Sequence, residues 1–139
     1  MIRSLQVNVA KPFSIVTAGA ALTRGMAVTY DAATNSVSPA TASAGFGIVD
    51  VSPNYDGINA SVTPSDASFE DIKKEALCFY VSYCHGERIA TNQITGSLSA
   101  GASVVAKDGK FAAGEGGEWI YVGVYSDPDF SDMHILQHV

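Results

Sequence analysis

Apolar and polar positions alternate with a period of two along most of this chain, the signature of strands with one face buried. Leu5, Val7 and Val9 alternate with Ser4, Gln6 and Asn8, which predicts a first strand that Lys11 and Pro12 interrupt. Phe13 to Val16 resumes it, and Met26, Val28 and Tyr30 then alternate with Ala27 and Thr29 up to a turn over residues 31–35. Val37 opens the return, so a hairpin is expected here. Residues 46–51 and 58–62 read as further strands. Leu77, Phe79, Val81 and Tyr83 face one way and Cys78, Tyr80, Ser82 and Cys84 the other, the cleanest alternation in the chain, ended by His85 and Gly86. A second hairpin is set by Asp108 and Gly109, a dipeptide suited to the primed turns that sheet twist favours. Trp119 to Tyr125 is apolar at both odd and even positions, as in a strand buried on both faces. One stretch, residues 69–76, predicts a short helix, since acids lead, lysines follow and Ser65 or Ser68 can cap it.

A frame recurs. Leu22, Gly25, Val28, Gly47 and Ile48 reappear at a constant offset as Leu98, Gly101, Val104, Gly123 and Val124, with a longer turn in the first copy and a tight one at residues 107–110 in the second. Many short strands separated by turn signals, without alternation of strand and long helix, predict an all-β fold: a small β-barrel or β-sandwich built from two similar halves, with one short helix. The expected organisation is an N-terminal strand or arm over 1–12, one β domain over 13–126 and a C-terminal arm over 127–139.

Composition changes this picture little. With 139 residues, 47% of them hydrophobic, the chain suffices for one core. A net charge of −6 with only 8 Lys and Arg argues against a phosphate-backbone partner, so no nucleic acid is expected. The first residues lack the apolar segment of a signal peptide, and no run is long enough for a membrane helix, which gives the expectation of a protein made in a cytoplasm and not bound to a membrane.

Candidate chemistry is sparse. Cys84 and His85 are adjacent and would point to opposite faces of a strand, which does not suit a nucleophile and its base. Cys78 and Cys84 lie six positions apart, about 20 Å in an extended strand, beyond disulfide reach. His134 and His138 have the spacing of a helical metal pair without an obvious third ligand, and Asp127, Asp129 and Asp132 lack the glycine and glutamate of a calcium loop. The glycine-rich loop over 114–118 carries carboxylates that would repel phosphate, and Asn59 to Ser61 fits a glycosylation sequon only formally. No catalytic residue, cofactor or metal is expected. Trp119, Tyr121, Tyr125, Tyr80 and Tyr83 leave a second reading open, a β-barrel carbohydrate- or ligand-binding module with an aromatic platform.

The repeated pattern, a Leu-x-x-Gly-x-x-Val strand, an Asp/Asn/Gly turn, a small-residue return and a Gly-Ile/Val strand end, resembles the decoration, or cement, proteins of tailed bacteriophage capsids over about Phe13 to Tyr125. The resemblance implies a virion structural protein without catalysis. It would bind the major capsid protein on the outer capsid surface, often as a homotrimer, and brace neighbouring capsomers. The segment 69–84 has no counterpart in that pattern. Apolar residues in both flanks, among them Ile2, Leu5 and Val7 in one and Phe130, Met133, Ile135 and Leu136 in the other, are the candidate partner-binding residues, since a solvated tail has no need of them.

Overall fold

The computed structural model describes residues 1–6, 13–50, 70–127 and 132–139. They form β1 (Ile2–Gln6), β2 (Phe13–Ala18), β3 (Leu22–Thr23), β4 (Ala27–Asp31), β5 (Ser36–Pro39), β6 (Gly47–Asp50), β7 (Asp71–Ile72), β8 (Leu77–Val81), β9 (Arg88–Thr91), β10 (Ser103–Lys107), β11 (Lys110–Ala113), β12 (Trp119–Tyr125) and β13 (Met133–His138). The fold is all-β. Five strands close a barrel in the order β2-β5-β4-β6-β8, six make a sheet in the order β1-β9-β13-β12-β10-β11, and β3 pairs with β7.

The expected helix over 69–76 is replaced by β7 and a turn among its described residues. Ile72 and Asp71 pair with Leu22 and Thr23, and Glu75 takes φ +70, outside any right-handed helix. A charged segment this short gains little from helical pairing alone, whereas Ile72 in a strand buries itself beside Leu22 against the barrel core.

Two hydrophobic cores share a wall. Val16, Ala18, Val28, Val37, Val49 and Cys78 fill the barrel. Their neighbours in sequence Ala27 and Ile48 point outward and, with Ala40 and Phe46, meet Ile89, Val104, Phe111, Trp119 and Leu136 of the sheet. The start of β4, Ala27 and Val28, and most of β6 are therefore covered on both faces, which is why Gly47, Ile48 and Val49 show no polar alternation. The second core is largely aromatic: Phe111 meets Phe46 and Trp119 edge-on at centroid distances of 6.0 Å each, and Tyr83 meets Trp119 at 5.8 Å.

Barrel and sheet are also joined through backbone. Asp108 and Gly109 take φ +49 and +77, as the primed turn requires, and set Lys107 opposite Lys110. The turn docks: Gly109 N donates to Ala40 O at 2.8 Å, Ala27 N donates to Gly109 O at 2.9 Å, and Asp108 N donates to Thr41 Oγ1 at 3.0 Å.

The two similar halves are visible as a common unit in which a central strand carries its hairpin partner on one side and a later strand on the other: β5-β4-β6 and β11-β10-β12. Gly25 and Gly101 both have positive φ, and Val28 and Val104 are both fully buried. The closing strands differ in register, since Val28 faces Gly47 whereas Val104 faces Trp119 rather than Gly123. Ile48 is consequently in the core while Val124 is 72% exposed, so β12 is not covered on both faces along its whole length as its composition suggests.

Candidate interaction surfaces

The residues that hinted at chemistry are dispersed. Cys78 lies inside the barrel, its Sγ–H directed at Val16 O at 3.7 Å, and burial pushes its thiol up to about 11. Cys84 and His85 are exposed beyond the end of β8, and the backbone N–H of Cys84 donates to the buried carboxylate of Glu87 at 2.6 Å. His134 and His138 are on strand β13, not a helix, which separates them by roughly 13 Å along the strand. Each has its own neighbour: Tyr121 Oη lies 3.0 Å from His134 Nδ1, and Glu118 Oε2 lies 3.6 Å from His138 Nε2. Among the described residues no cluster of three or more His, Cys, Asp or Glu could hold a metal ion. Asp129 and the sequon at 59–61 lie outside the described residues.

The flanking segments are built into the sheet. β13 is inserted between β9 and β12, pairing His134 to Gln137 with Thr91 to Arg88 on one side and Met133 to His138 with Tyr125 to Trp119 on the other. Leu136 enters the aromatic core, Met133 packs with Met1 and Ala90, and Ile135 is half-buried opposite Ala90 and Gly123. Met133 and Leu136 are thus buried in the chain's own core from an interior strand with both edges occupied, and Ile2 is buried there too, from the edge strand β1, by packing against the aromatic core. Val7 and Phe130 lie outside the described residues.

Leu5 is the most exposed of the described candidates, at 37%. The cause is local: Ser4 faces Ile89 and Gln6 faces Arg88, so Leu5 is the extra residue of a bulge that breaks the alternation read from the sequence. The start of this strand is held firmly. The Met1 ammonium donates to Arg24 O at 2.5 Å and Asn92 Oδ1 at 2.9 Å and pairs with Glu70 at 2.5 Å. Desolvation lowers the pKa of this amine, with Glu70 opposing the shift.

The two edges of the six-stranded sheet are treated differently. At β11, Phe111 N donates to Gln93 O at 2.8 Å and Thr95 N donates to Phe111 O at 2.9 Å, so the segment 93–95 covers that edge. At the opposite edge, β1 has β9 as its single strand neighbour among the described residues.

A second surface lies at the rim of the barrel. Tyr30 and Tyr80 follow the inward-pointing Val28 and Cys78 by two residues, so both turn toward the barrel axis where the wall ends. Their rings stack at 5.5 Å and 26°. Gly47 makes room, since a Cβ there would run into the Tyr80 ring. Tyr30 Oη donates to Asn35 Oδ1 at 3.0 Å, and Asn35 Nδ2 donates to Ile15 O at 3.4 Å. The turn beside them is self-bonded: Ala33 N and Thr34 Oγ1 donate to the Asp31 carboxylate at 2.9 and 3.0 Å, and Thr34 and Ser36 hydroxyls lie 2.7 Å apart. Tyr30 is 39% and Ile15 51% exposed. Of the aromatic residues singled out in the sequence, Trp119 and Tyr121 are buried, Tyr83 packs on Trp119, Tyr125 packs beside Met1 and Met133, and only Tyr80 belongs to this rim. Tyr30 and Asn35 are missed by sequence reading because they meet across a hairpin turn; the signal available was the polar turn directly following an aromatic strand end.

Comparison with protein-family models, with curated proteins and with solved structures returned no match.

Proposed function

We propose that this chain is a virion structural protein that binds the outer surface of a phage capsid through its major capsid protein and stabilises contacts between capsomers, acting by binding and not by catalysis. The resemblance of the repeated strand pattern to capsid decoration proteins motivates the reading and carries with it the homotrimeric assembly. The observation that supports it most is the asymmetry of the sheet edges: β11 is covered by residues 93–95, while among the described residues β1, anchored at Met1, has a strand neighbour on one side only and a bulged, exposed Leu5. An anchored edge strand is a ready template for backbone pairing with a strand of another chain, in which main-chain bonds supply affinity and one outward apolar side chain supplies fit.

Co-sedimentation with capsids assembled from the major capsid protein of the same genome tests this. Saturable binding is expected, and Leu5→Lys should weaken it about tenfold with an unchanged melting temperature, since a charge on an edge discourages pairing without touching the core. Absence of co-sedimentation would refute the function, and full binding by Leu5→Lys would move the contact off this edge.

A further inference from the structure

We infer that Asp108 is a site of isoaspartate formation and that docking of its turn onto the barrel sets the rate. The inference rests on the second hairpin alone and is independent of the capsid reading. Asp108 is exposed and is followed by Gly109, a residue with no side chain to shield its own main-chain nitrogen. In such a pair the glycine nitrogen attacks Cγ of the preceding carboxyl group. An N–Cγ bond forms, the amide proton leaves with the carboxyl hydroxyl as water, and a succinimide ring closes. Water then opens the ring. Opening at the α-carbonyl leaves the chain running through the side-chain carbonyl, so the main chain gains a methylene while the mass returns to its starting value. Water is released and then consumed, and no other reactant takes part.

The docked turn withholds the nucleophile. Gly109 is buried, and its N–H is committed to Ala40 O at 2.8 Å. Attack needs that nitrogen to lose its proton and face the Asp108 side chain, which breaks this bond. The bonds from Ala27 N to Gly109 O at 2.9 Å and from Asp108 N to Thr41 Oγ1 at 3.0 Å hold the same two residues in place. Reaction therefore runs through the fraction of molecules in which the turn has lifted off the barrel. The product does not redock in the same way. The turn sets Lys107 opposite Lys110, and an extra main-chain atom within it puts the bonds to Ala40 and Ala27 out of register. A change at one side chain thus strikes the seam between barrel and sheet.

Incubation of the full chain at physiological temperature and neutral pH, in buffer and in urea above the unfolding transition, tests the inference, with isoaspartate located by peptide mapping and electron-transfer fragmentation. In urea both aspartates that precede a glycine, Asp56 and Asp108, should form isoaspartate. In buffer Asp108 should react at least about tenfold more slowly than it does in urea. Asp108→Asn, a residue that also accepts φ +49, closes the same ring with loss of ammonia in place of water and should show the same contrast, read by mass. Chains carrying isoaspartate at 108, isolated from the urea sample and returned to buffer, should unfold at a lower urea concentration than unmodified chains. An Asp108 that isomerises as fast in buffer as in urea, or that stays unmodified in urea while Asp56 reacts, would overturn the inference. Equal urea midpoints for modified and unmodified chains would overturn its link to the docked turn.

Discussion

Cys78 shows how one side chain reports its surroundings. Its thiol sits among Val16, Val28 and Val49 in the barrel, whereas Cys84 lies in the open beyond β8. A thiol reagent should therefore modify Cys84 rapidly in the native protein and Cys78 only on unfolding. The titration adds a second expectation. From an ordinary value of 9.0 the Cys78 thiol is pushed up to about 11 by burial, so above pH 9 the unfolded chain loses a proton that the folded chain keeps. Fewer protons on the unfolded state mean that stability falls as pH rises from 9 to 11, and is fully present below 9. Cys78→Ala, which costs about 1–2 kcal/mol of packing near pH 8, should be penalised less as pH approaches 11, because it lacks this loss. Urea titrations of both proteins at several pH values check this; a constant difference between them, or native labelling of Cys78 at the rate of Cys84, contradicts the placement.

At the level of elements, β13 is the strand on which the sheet depends. Leu136 and Met133 are fully buried, each contributing about 1.5–3 kcal/mol by burial, and the strand supplies a ladder on both sides. Against a total stability of roughly 5–15 kcal/mol, loss of the strand is decisive. Removal of residues 133–139 should give an unfolded or aggregating chain by far-UV circular dichroism; a soluble, folded product would mean that β9 and β12 can close on one another. This strand also marks the limit of what is legible in the sequence. Period-two alternation located β4 and β8, and the Asp108-Gly109 dipeptide located the second hairpin, because each signal is local, but whether an apolar flank such as 133–139 docks at home or on a partner depends in part on β9, more than forty residues away, and no local pattern records that. The same holds for Leu5, whose face is set by a bulge, and for Tyr30 and Asn35, which meet only when the hairpin bends. The helix expectation over 69–76 failed for a related reason, since the partner that decides Ile72 is Leu22.

For the molecule as a whole, the shared wall of β4 and β6 couples barrel and sheet. Trp119 reports the sheet core, being the sole tryptophan, while the buried Cys78 thiol reports the barrel. Because Ala27, Phe46 and Ile48 belong to the second core while Val28 and Val49 belong to the first, neither can be lost alone. Tryptophan fluorescence and labelling of the Cys78 thiol should give one urea midpoint, and Gly109→Val, which forces a β-branched side chain onto φ +77 and against Met26, should lower both together by about 1–3 kcal/mol. Two separated midpoints would show that the seam does not bind the halves into one cooperative unit.

The parallel pairing of β2 with β5 and the insertion of β13 also fix the order in which the protein can be assembled during synthesis. β2 finds its other neighbour only when β8 has been made, β1 waits for β9, and the centre of the sheet stays vacant until β13 arrives. A nascent chain therefore carries unpaired strand edges through most of its translation, and pairings between such distant segments close slowly. Overproduction of this protein should thus be limited by the time its chains spend incomplete rather than by the stability they reach, so slower synthesis at lower temperature is the condition under which soluble yield rises.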